Sequence, residues 1–133
     1  MRLRVELYPA NLDATLNFYV HVLGFDCIRD ERGAGDGYLL LQRDEVVVAA
    51  SQRADVGDRS ARRPPVGVEL VLVVDDVGHE LNRVRDRGWA IEEGLTSRSW
   101  GARDFRLLDP SGYYITITEP DQDVNGLEAR PSK

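Results

Sequence analysis

The sequence predicts an α+β fold in which two βαβββ repeats form curved mixed sheets. The main observation is the order of predicted elements, since a strand, a helix and three strands occur twice along the 133 residues. A second observation is a period of roughly 65 residues, with Val-Glu-Leu near the start of each repeat, at 5–7 and 68–70. A third is the turn sequence Asp-Pro-Ser-Gly at 109–112, which joins two apolar runs into a hairpin.

The first repeat covers about 1–51 and begins with a strand over 2–8, where polar and apolar side chains alternate. Asn11 or Asp13 can cap the following helix, and Gly24 lies where a C-terminal cap is expected. Apolar side chains fall at helical spacing between these caps, at Leu12, Leu16, Tyr19 and Leu23. Three further strands are predicted over 25–29, 38–42 and 46–51.

The second repeat covers about 67–119 and follows the same order, beginning with a strand over 67–74. Asp75 or Asp76 can cap its helix, and Gly88 ends it. The apolar side of this helix carries Val77, Leu81 and Val84. The last three strands are predicted over 89–92, 105–108 and 113–118.

The segments outside the repeats have few apolar residues. Residues 52–66 are polar, rich in Arg and end in a Pro-Pro pair, so they are interpreted as a linker. The tail 121–133 has little to bury and is expected to fray. The chain is therefore predicted to form a single domain over 1–120.

Composition excludes several classes of function. The formal net charge of −6 argues against a nucleic-acid partner, because binding to phosphates needs a basic face. The single cysteine, Cys27, excludes an internal disulfide framework and a cysteine-cluster metal site. No segment has the composition of a signal peptide or a membrane span, so a cytoplasmic protein without a membrane partner is expected.

Trp100 and Gly101 stand just before the predicted hairpin and present the clearest functional question. A tryptophan in this position either covers the edge of the sheet or offers a flat surface to a planar ligand. Both interpretations are open on the residues alone.

Four segments of the chain carry a resemblance to a known family. They are NLDATLNFYVHVLGF, LLLQRDEVVVAAS, VVDDVGHELNRVRDRG and WGARDFRLLDPSGYYITI. In these segments the chain resembles the vicinal oxygen chelate superfamily, which contains glyoxalase I, extradiol dioxygenases, fosfomycin-modifying enzymes and the bleomycin-resistance proteins. The resemblance extends from about Leu3 to Glu119 and implies the paired βαβββ fold.

Catalytic members of that superfamily hold a divalent metal with His, Glu or Gln from the first and last strand of each half. The corresponding positions here are Arg4 or Val5, Val48 or Ala49, Glu69, and Thr116. Only Glu69 is a suitable ligand, and an arginine would repel a dication, so no metal and no cofactor are expected. His21 and His79 belong to the predicted helices, outside the sheets.

Among members without a metal, the chain is most similar to the bleomycin-resistance proteins. In that group a Trp-Gly pair precedes the Asp-Pro-x-Gly hairpin, and the tryptophan stacks on the rings of a cationic drug bound in crevices of a homodimer. The resemblance implies a non-catalytic homodimer, with halves that can be exchanged between chains. It would sequester a bulky aromatic ligand, a class that includes cationic and DNA-intercalating peptide antibiotics, for resistance or self-protection. The predicted ligand-binding residues are Trp100, Glu6, Tyr8, Tyr38, Glu69, Tyr113 and Tyr114.

Two other functions remain open. One is a metal-dependent lyase or dioxygenase of the same superfamily with a non-standard site at Glu6 and Glu69. The metal content of the purified protein separates this enzyme from a binding protein. The other is a regulatory module whose crevice holds no ligand, which a titration with aromatic natural products would distinguish.

Overall fold

The computed structural model describes residues 1–53 and 64–120, whose strands form two four-stranded sheets. The described chain divides into two units, which are called unit 1 (1–53 and 109–112) and unit 2 (64–108 and 113–120). Most of the predicted linker and the whole predicted tail lie outside the described residues. None of the helices in the described ranges has the length and apolarity that crossing a membrane requires.

Unit 1 contains one sheet in the strand order β1-β4-β3-β2. Strand β1 is parallel to β4, and the other neighbours are antiparallel. The elements are β1 (Arg4–Leu7), α1 (Leu12–Asn17) with a π-helical turn (Phe18–Val22), β2 (Asp26–Asp30), β3 (Tyr38–Arg43) and β4 (Val46–Ser51).

The helix of unit 1 begins and ends as its sequence predicts. Asn11, rather than Asp13, is the N-cap, and its side-chain oxygen accepts a hydrogen bond of 3.0 Å from the Ala14 N–H. At the other end, Leu23 N–H donates to the carbonyl of Phe18, which closes the wider π-helical turn. Gly24 then adopts a φ of 77°, a conformation that glycine reaches without steric cost.

A buried hydrogen bond joins this helix to the turn 109–112, which also belongs to unit 1. The Tyr19 hydroxyl donates to the Asp109 carboxylate at 2.9 Å, and both residues are at most 1% exposed. The other Asp109 carboxylate oxygen accepts from the Ser111 N–H at 2.8 Å. Two sequence motifs that lie 90 residues apart, Phe-Tyr and Asp-Pro-Ser-Gly, therefore form one structural feature.

Unit 2 repeats the architecture in the strand order β5-β8-β7-β6. Its elements are β5 (Leu70–Val73), α2 (Val77–Asp86), β6 (Glu93–Ser97), β7 (Arg103–Leu108) and β8 (Tyr114–Thr118). Asp76, rather than Asp75, caps α2 by accepting a hydrogen bond of 3.0 Å from the His79 N–H. The prediction of two βαβββ repeats in an α+β fold is confirmed.

The predicted strand over 89–92 is wrong. The Trp89 N–H still bonds to the carbonyl of Val84, so these residues complete the exit from α2. The chain reaches the neighbouring strand only at Glu92, whose N–H donates to the carbonyl of Arg106, and β6 starts one residue later. A short apolar run after a C-cap glycine satisfies a strand pattern without extending along the sheet.

The two Val-Glu-Leu runs are not structurally equivalent. Glu6 in β1 is in register with Ala49, whereas the β5 residue in register with Thr116 is Val71. The helix N-caps confirm the offset, since Leu72 rather than Leu70 precedes its cap by the same distance as Leu7 precedes Asn11. The repeat period of roughly 65 residues stands, but the shared tripeptide is shifted by two positions within it.

Candidate functional site

Each sheet has one apolar face and one more polar face, because successive side chains of a strand point to opposite sides. In unit 2 the apolar face carries side chains that are at most 1% exposed, namely Phe105, Leu107, Ile115 and Ile117. Helix α2 contacts β7 and β8 and buries Val77, Leu81 and Val84, so it covers this apolar face. The opposite face of each sheet is called its open face, and it carries the candidate site residues.

The open face of unit 1 is defined by the register Glu6–Ala49–Leu40 and by Tyr38 with Ser51. Glu6 is exposed and forms an ion pair of 2.9 Å with Arg4. Tyr38 is half-buried at the start of β3. Two of the predicted residues, Glu6 and Tyr38, therefore share one face of one sheet.

Tyr8 follows β1 directly and is 40% exposed. The guanidinium carbon of Arg53 lies 5.1 Å from the centre of its ring, within the range of a cation–π contact. The Arg53 N–H also donates to the carbonyl of Pro9 at 2.7 Å. These two contacts hold the chain after β4 against the end of β1.

The open face of unit 2 carries a network of charged side chains that the sequence analysis missed. Asp104, only 2% exposed, accepts three hydrogen bonds of 2.8–3.1 Å from Arg98. Arg98 also donates to Glu93 at 2.7 Å. The bonds to Asp104, followed by those to Glu93, raise the pKa of Arg98 above its ordinary value. The signal for this network was the charged pair at alternate positions of β7, Asp104 and Arg106, in a strand whose intervening and following residues, Phe105, Leu107 and Leu108, are apolar.

Arg106 lies next to this network. It is in register with Glu93 on one side and Thr116 on the other. Its Nε is 3.8 Å from an Asp104 oxygen and 4.0 Å from a Glu93 oxygen, beyond hydrogen-bond distance. Within 1–53 and 64–120, this buried Nε has no hydrogen-bond partner.

The remaining predicted residues of unit 2 lie around Thr116. The Glu69 carboxylate accepts a hydrogen bond of 3.3 Å from the Thr116 hydroxyl. Tyr114 is half-buried and shares the open face with Thr116, because the two are separated by two positions in β8. Tyr113 precedes the strand and is also half-buried.

Trp100 lies in the loop between β6 and β7 and is 46% exposed. The base of this loop is closed by a hydrogen bond of 2.8 Å from the Arg98 N–H to the Ala102 carbonyl. The Gly101 N–H donates back to the Arg98 carbonyl at 3.1 Å, and Gly101 has a φ of 88°. Because the Arg98 side chain is bonded to β6 and β7 as well, the loop presents the indole from an anchored base.

Trp89 has a different environment. Its indole N–H donates to the carbonyl of Leu108 at 2.8 Å, and the residue is half-buried. A buried edge with a satisfied N–H is typical of a packing tryptophan.

The four positions implied for a metal do not collect suitable ligands in the described chain. Arg4 is paired with Glu6, and Ala49 has no donor atom beyond its backbone. His21 and His79 are both exposed on their helices. Across 1–53 and 64–120, no group of three or more His, Cys, Asp and Glu residues could hold a metal ion.

Comparisons with known proteins place this geometry in context. The sequence profile of the Glyoxalase/Bleomycin resistance protein/Dioxygenase superfamily matches residues 3–117. No protein of curated function matches the chain significantly.

Solved structures with the same fold include a bleomycin resistance determinant and an antibiotic binding protein. TioX from Micromonospora sp. ML1 is 20% identical with a TM-score of 0.72, over 90% of this chain and 98% of that one. The bleomycin resistance determinant encoded on the transposon Tn5 is 20% identical with a TM-score of 0.73, over 90% and 97%. TnmS3, an antibiotic binding protein from Streptomyces sp. CB03234, is 22% identical with a TM-score of 0.68, over 91% and 96%. At these identities the similarity concerns the fold.

Proposed function

The chain belongs to the glyoxalase/bleomycin resistance protein/dioxygenase superfamily, and we propose that it is a non-catalytic binding protein that sequesters a bulky aromatic ligand. Antibiotics are the ligand class we favour, because proteins of the same fold include a bleomycin resistance determinant and an antibiotic binding protein. The role would be resistance or self-protection of the cell that makes the protein. The net charge of −6 supports a small, cationic aromatic ligand rather than nucleic acid.

The observation that carries this proposal is the exposed indole of Trp100 on its anchored loop. A large aromatic side chain that is 46% exposed contributes little to a core, yet the loop beneath it is closed by backbone hydrogen bonds and an ion-pair network. Such a rigid, flat surface loses little conformational entropy when a planar ring stacks on it.

Acidic and aromatic side chains on the two open faces support the same ligand class. Glu6 and Tyr38 share the open face of unit 1, and Tyr114 shares that of unit 2 with the Glu69–Thr116 pair. Carboxylates attract a cationic ligand, and aromatic rings stack on planar groups and on cations. Tyr8 and Tyr113 complete the set of proposed ligand-binding residues.

We expect Trp100→Ala to weaken binding of a planar ligand by about 1–3 kcal/mol, the usual loss for one stacking partner. Isothermal titration with the planar dye acridine orange, a cationic tricyclic compound, measures this change. Trp89→Phe is the matched control and should leave the affinity unchanged, because its indole already bonds to Leu108.

Stability separates a binding role from a packing role for the same residue. Truncation of an exposed loop tryptophan should lower the free energy of unfolding by much less than the roughly 3–5 kcal/mol that truncation of a buried tryptophan costs. If Trp100→Ala lowers the urea midpoint as strongly as a core truncation does, the indole packs in the structure and the proposed site fails.

We also propose that the protein is a homodimer, with exchange of halves between chains as one possible arrangement. Strands β1 and β5 each lie at the edge of a sheet, and exposed apolar residues are found beside or within them: Leu3 at 81%, Val68 at 70% and Val71 at 50%. Apolar sheet edges of this kind usually pair with a partner. Sedimentation at micromolar concentration should therefore give a mass near twice 14.9 kDa, and a monomer would contradict the proposal.

A further inference from the structure

The charged network of unit 2 is divided unequally between its two arginines. Arg98 makes three hydrogen bonds to Asp104 and one to Glu93. The Glu93 oxygen that accepts from Arg98 also accepts from the Thr96 hydroxyl at 3.3 Å. Both oxygens of Asp104 and one oxygen of Glu93 are therefore engaged before Arg106 is considered.

Arg106 is left with two ion pairs of 3.8 and 4.0 Å and no hydrogen bond from its Nε within the described ranges. A buried N–H without an acceptor destabilises the folded state, and such groups are rare in folded proteins. The side chain as a whole keeps 24% exposure, so part of it can be reached from outside. The Nε atom itself is buried, so a bound molecule would reach this guanidinium through its terminal nitrogens, which have no hydrogen bond within the described ranges either.

The charges around Arg106 indicate which kind of acceptor it would take. Arg98 and Arg106 face Glu93 and Asp104, and the exposed Glu69 beyond Thr116 adds one further negative charge. Charges at the 3.8–4.0 Å separations found around Arg106 interact strongly where water is partly excluded. An anionic group would be repelled by this excess, whereas a neutral carbonyl oxygen accepts a hydrogen bond without adding charge.

We propose that Arg106 is a specificity-determining residue that donates to a neutral carbonyl oxygen, such as a carboxamide, on the bound aromatic molecule. Arg98 is the positioning residue, because its bonds hold Asp104 and Glu93 away from Arg106. The inference rests on the proposed function, since it assigns a second recognition group to the same ligand. Arg106 would favour those aromatic ligands that carry a carbonyl group, whereas stacking on Trp100 depends only on the planar ring.

The experiment compares the guanidinium Nε–H signals of the two arginines in 1H–15N spectra of the intact protein. Probes are 1-naphthamide, 1-naphthoate, 1-naphthylmethylammonium and N-methylacetamide, the last carrying a carbonyl without a ring. We expect 1-naphthamide and N-methylacetamide to shift the Arg106 signal while the Arg98 signal, already bonded to Asp104, moves little. Arg106→Met identifies the signal by its loss.

Affinities provide the second readout. Arg106→Met should weaken binding of 1-naphthamide about tenfold, as expected for losing a hydrogen bond to a charged donor. It should not weaken 1-naphthylmethylammonium, which has no acceptor. In the unaltered protein 1-naphthamide should bind more tightly than 1-naphthoate.

The outcomes distinguish the two proposals. If all naphthalene probes bind in a Trp100-dependent manner but neither carbonyl probe shifts Arg106 more than Arg98, the Arg106 inference is overturned and the proposed function stands. If N-methylacetamide shifts Arg106 but no ring probe binds, the planar ligand of the proposed function is contradicted. An Arg106 signal that shifts on dilution of the protein alone would identify a second chain as the acceptor and would also overturn the inference.

Discussion

The open faces of the two sheets hold their charged side chains in different ways. In unit 1, the ionised pair Arg4–Glu6 is largely in solvent, with side chains that are 57% and 34% exposed. In unit 2, the carboxylate of Asp104 is 2% exposed and bonded on both oxygens to Arg98. One face carries its charged pair at the surface, and the other buries one of its carboxylates, that of Asp104, beside the more exposed Glu93.

The opposite faces of the two sheets are alike. Leu39 and Leu41 in unit 1 and Leu107 and Ile115 in unit 2 have no exposed surface. Each sheet uses its apolar face for burial against its helix, which is the dominant favourable term in folding. This difference indicates that the repeated fold depends on the apolar faces, whereas the side chains of the open faces can differ between the two units.

The largest expected effect tests this contrast directly. Asp104→Ala removes the buried carboxylate that accepts three hydrogen bonds from Arg98 and leaves Glu93 as the only acidic side chain described beside Arg98 and Arg106, so we expect a loss of about 3–5 kcal/mol in unfolding free energy. Glu6→Ala breaks only an exposed ion pair and should cost about 0–1 kcal/mol. Urea unfolding of both variants measures the difference.

A double variant checks the cause of that loss. Arg98→Met added to Asp104→Ala removes one of the two arginines that would otherwise share the single carboxylate of Glu93, and it should recover part of the stability. Equal losses for Asp104→Ala and Glu6→Ala would mean that the two open faces are energetically alike, and the comparison would break down.

A moderate effect is expected from the one buried carboxylate contact described for unit 1. Tyr19→Phe removes the hydroxyl that donates to Asp109, and the loss should be about 1–2 kcal/mol because that carboxylate is shielded from water. Tyr38→Phe, at a half-buried position on the open face, should change stability much less. Thermal unfolding of the pair distinguishes a buried polar contact from an accessible hydroxyl, and identical midpoints would contradict the assignment.

The smallest expected effect concerns acid and the surface ion pairs of both units. In unit 2, the hydrogen bond from Arg103 lowers the pKa of Glu119 below its ordinary value of 4.5. In unit 1, the bond from Arg32 lowers the pKa of Asp30 below 3.8. A carboxyl whose pKa is depressed in the folded state stabilises the protein above its unfolded pKa, and this contribution is lost as the pH falls through the folded value.

Arg103→Gln should therefore reduce the loss of stability as the pH falls below 4.5, the ordinary pKa of Glu119, and should change the slope little near neutral pH. Urea midpoints across this range measure it, and high salt should shrink the difference because both groups are solvent-accessible. An unchanged acid slope in the variant would show that Glu119 gains nothing from Arg103.

Much of the fold could be predicted because its signals are local. Capping by Asn11 and Asp76, the glycine C-caps and the 109–112 turn each depend on a few neighbouring residues. The strand over 89–92 failed for the same reason, since Trp89 looks like a strand residue until its N–H is seen to complete the helix. The exposure of Trp100 could not be decided from its neighbours, which fit a packed or an exposed indole equally well.

The candidate site was harder to predict, because its partners come from different strands. Glu93, Arg98, Asp104 and Arg106 are ordinary charged residues along the sequence, and only the antiparallel register of β6 and β7 brings them together. Tyr19 and Asp109 were both recognised in motifs, but nothing in either motif names the other as its hydrogen-bond partner.

The two βαβββ repeats, the glycine caps, the 109–112 turn and the family follow from the sequence alone, since periodicity and turn chemistry act over short distances. For each helix N-cap the sequence left two candidates, and the structure selects Asn11 and Asp76. Only the tertiary structure decided that Glu6 rather than Arg4 stands in register with Ala49, that Asp104 is buried, and that Arg106 lacks a hydrogen bond from Nε. The physical reason is that register, burial and unmet hydrogen bonds depend on which strands become neighbours. That is settled by the packing of the whole sheet and not by any single segment.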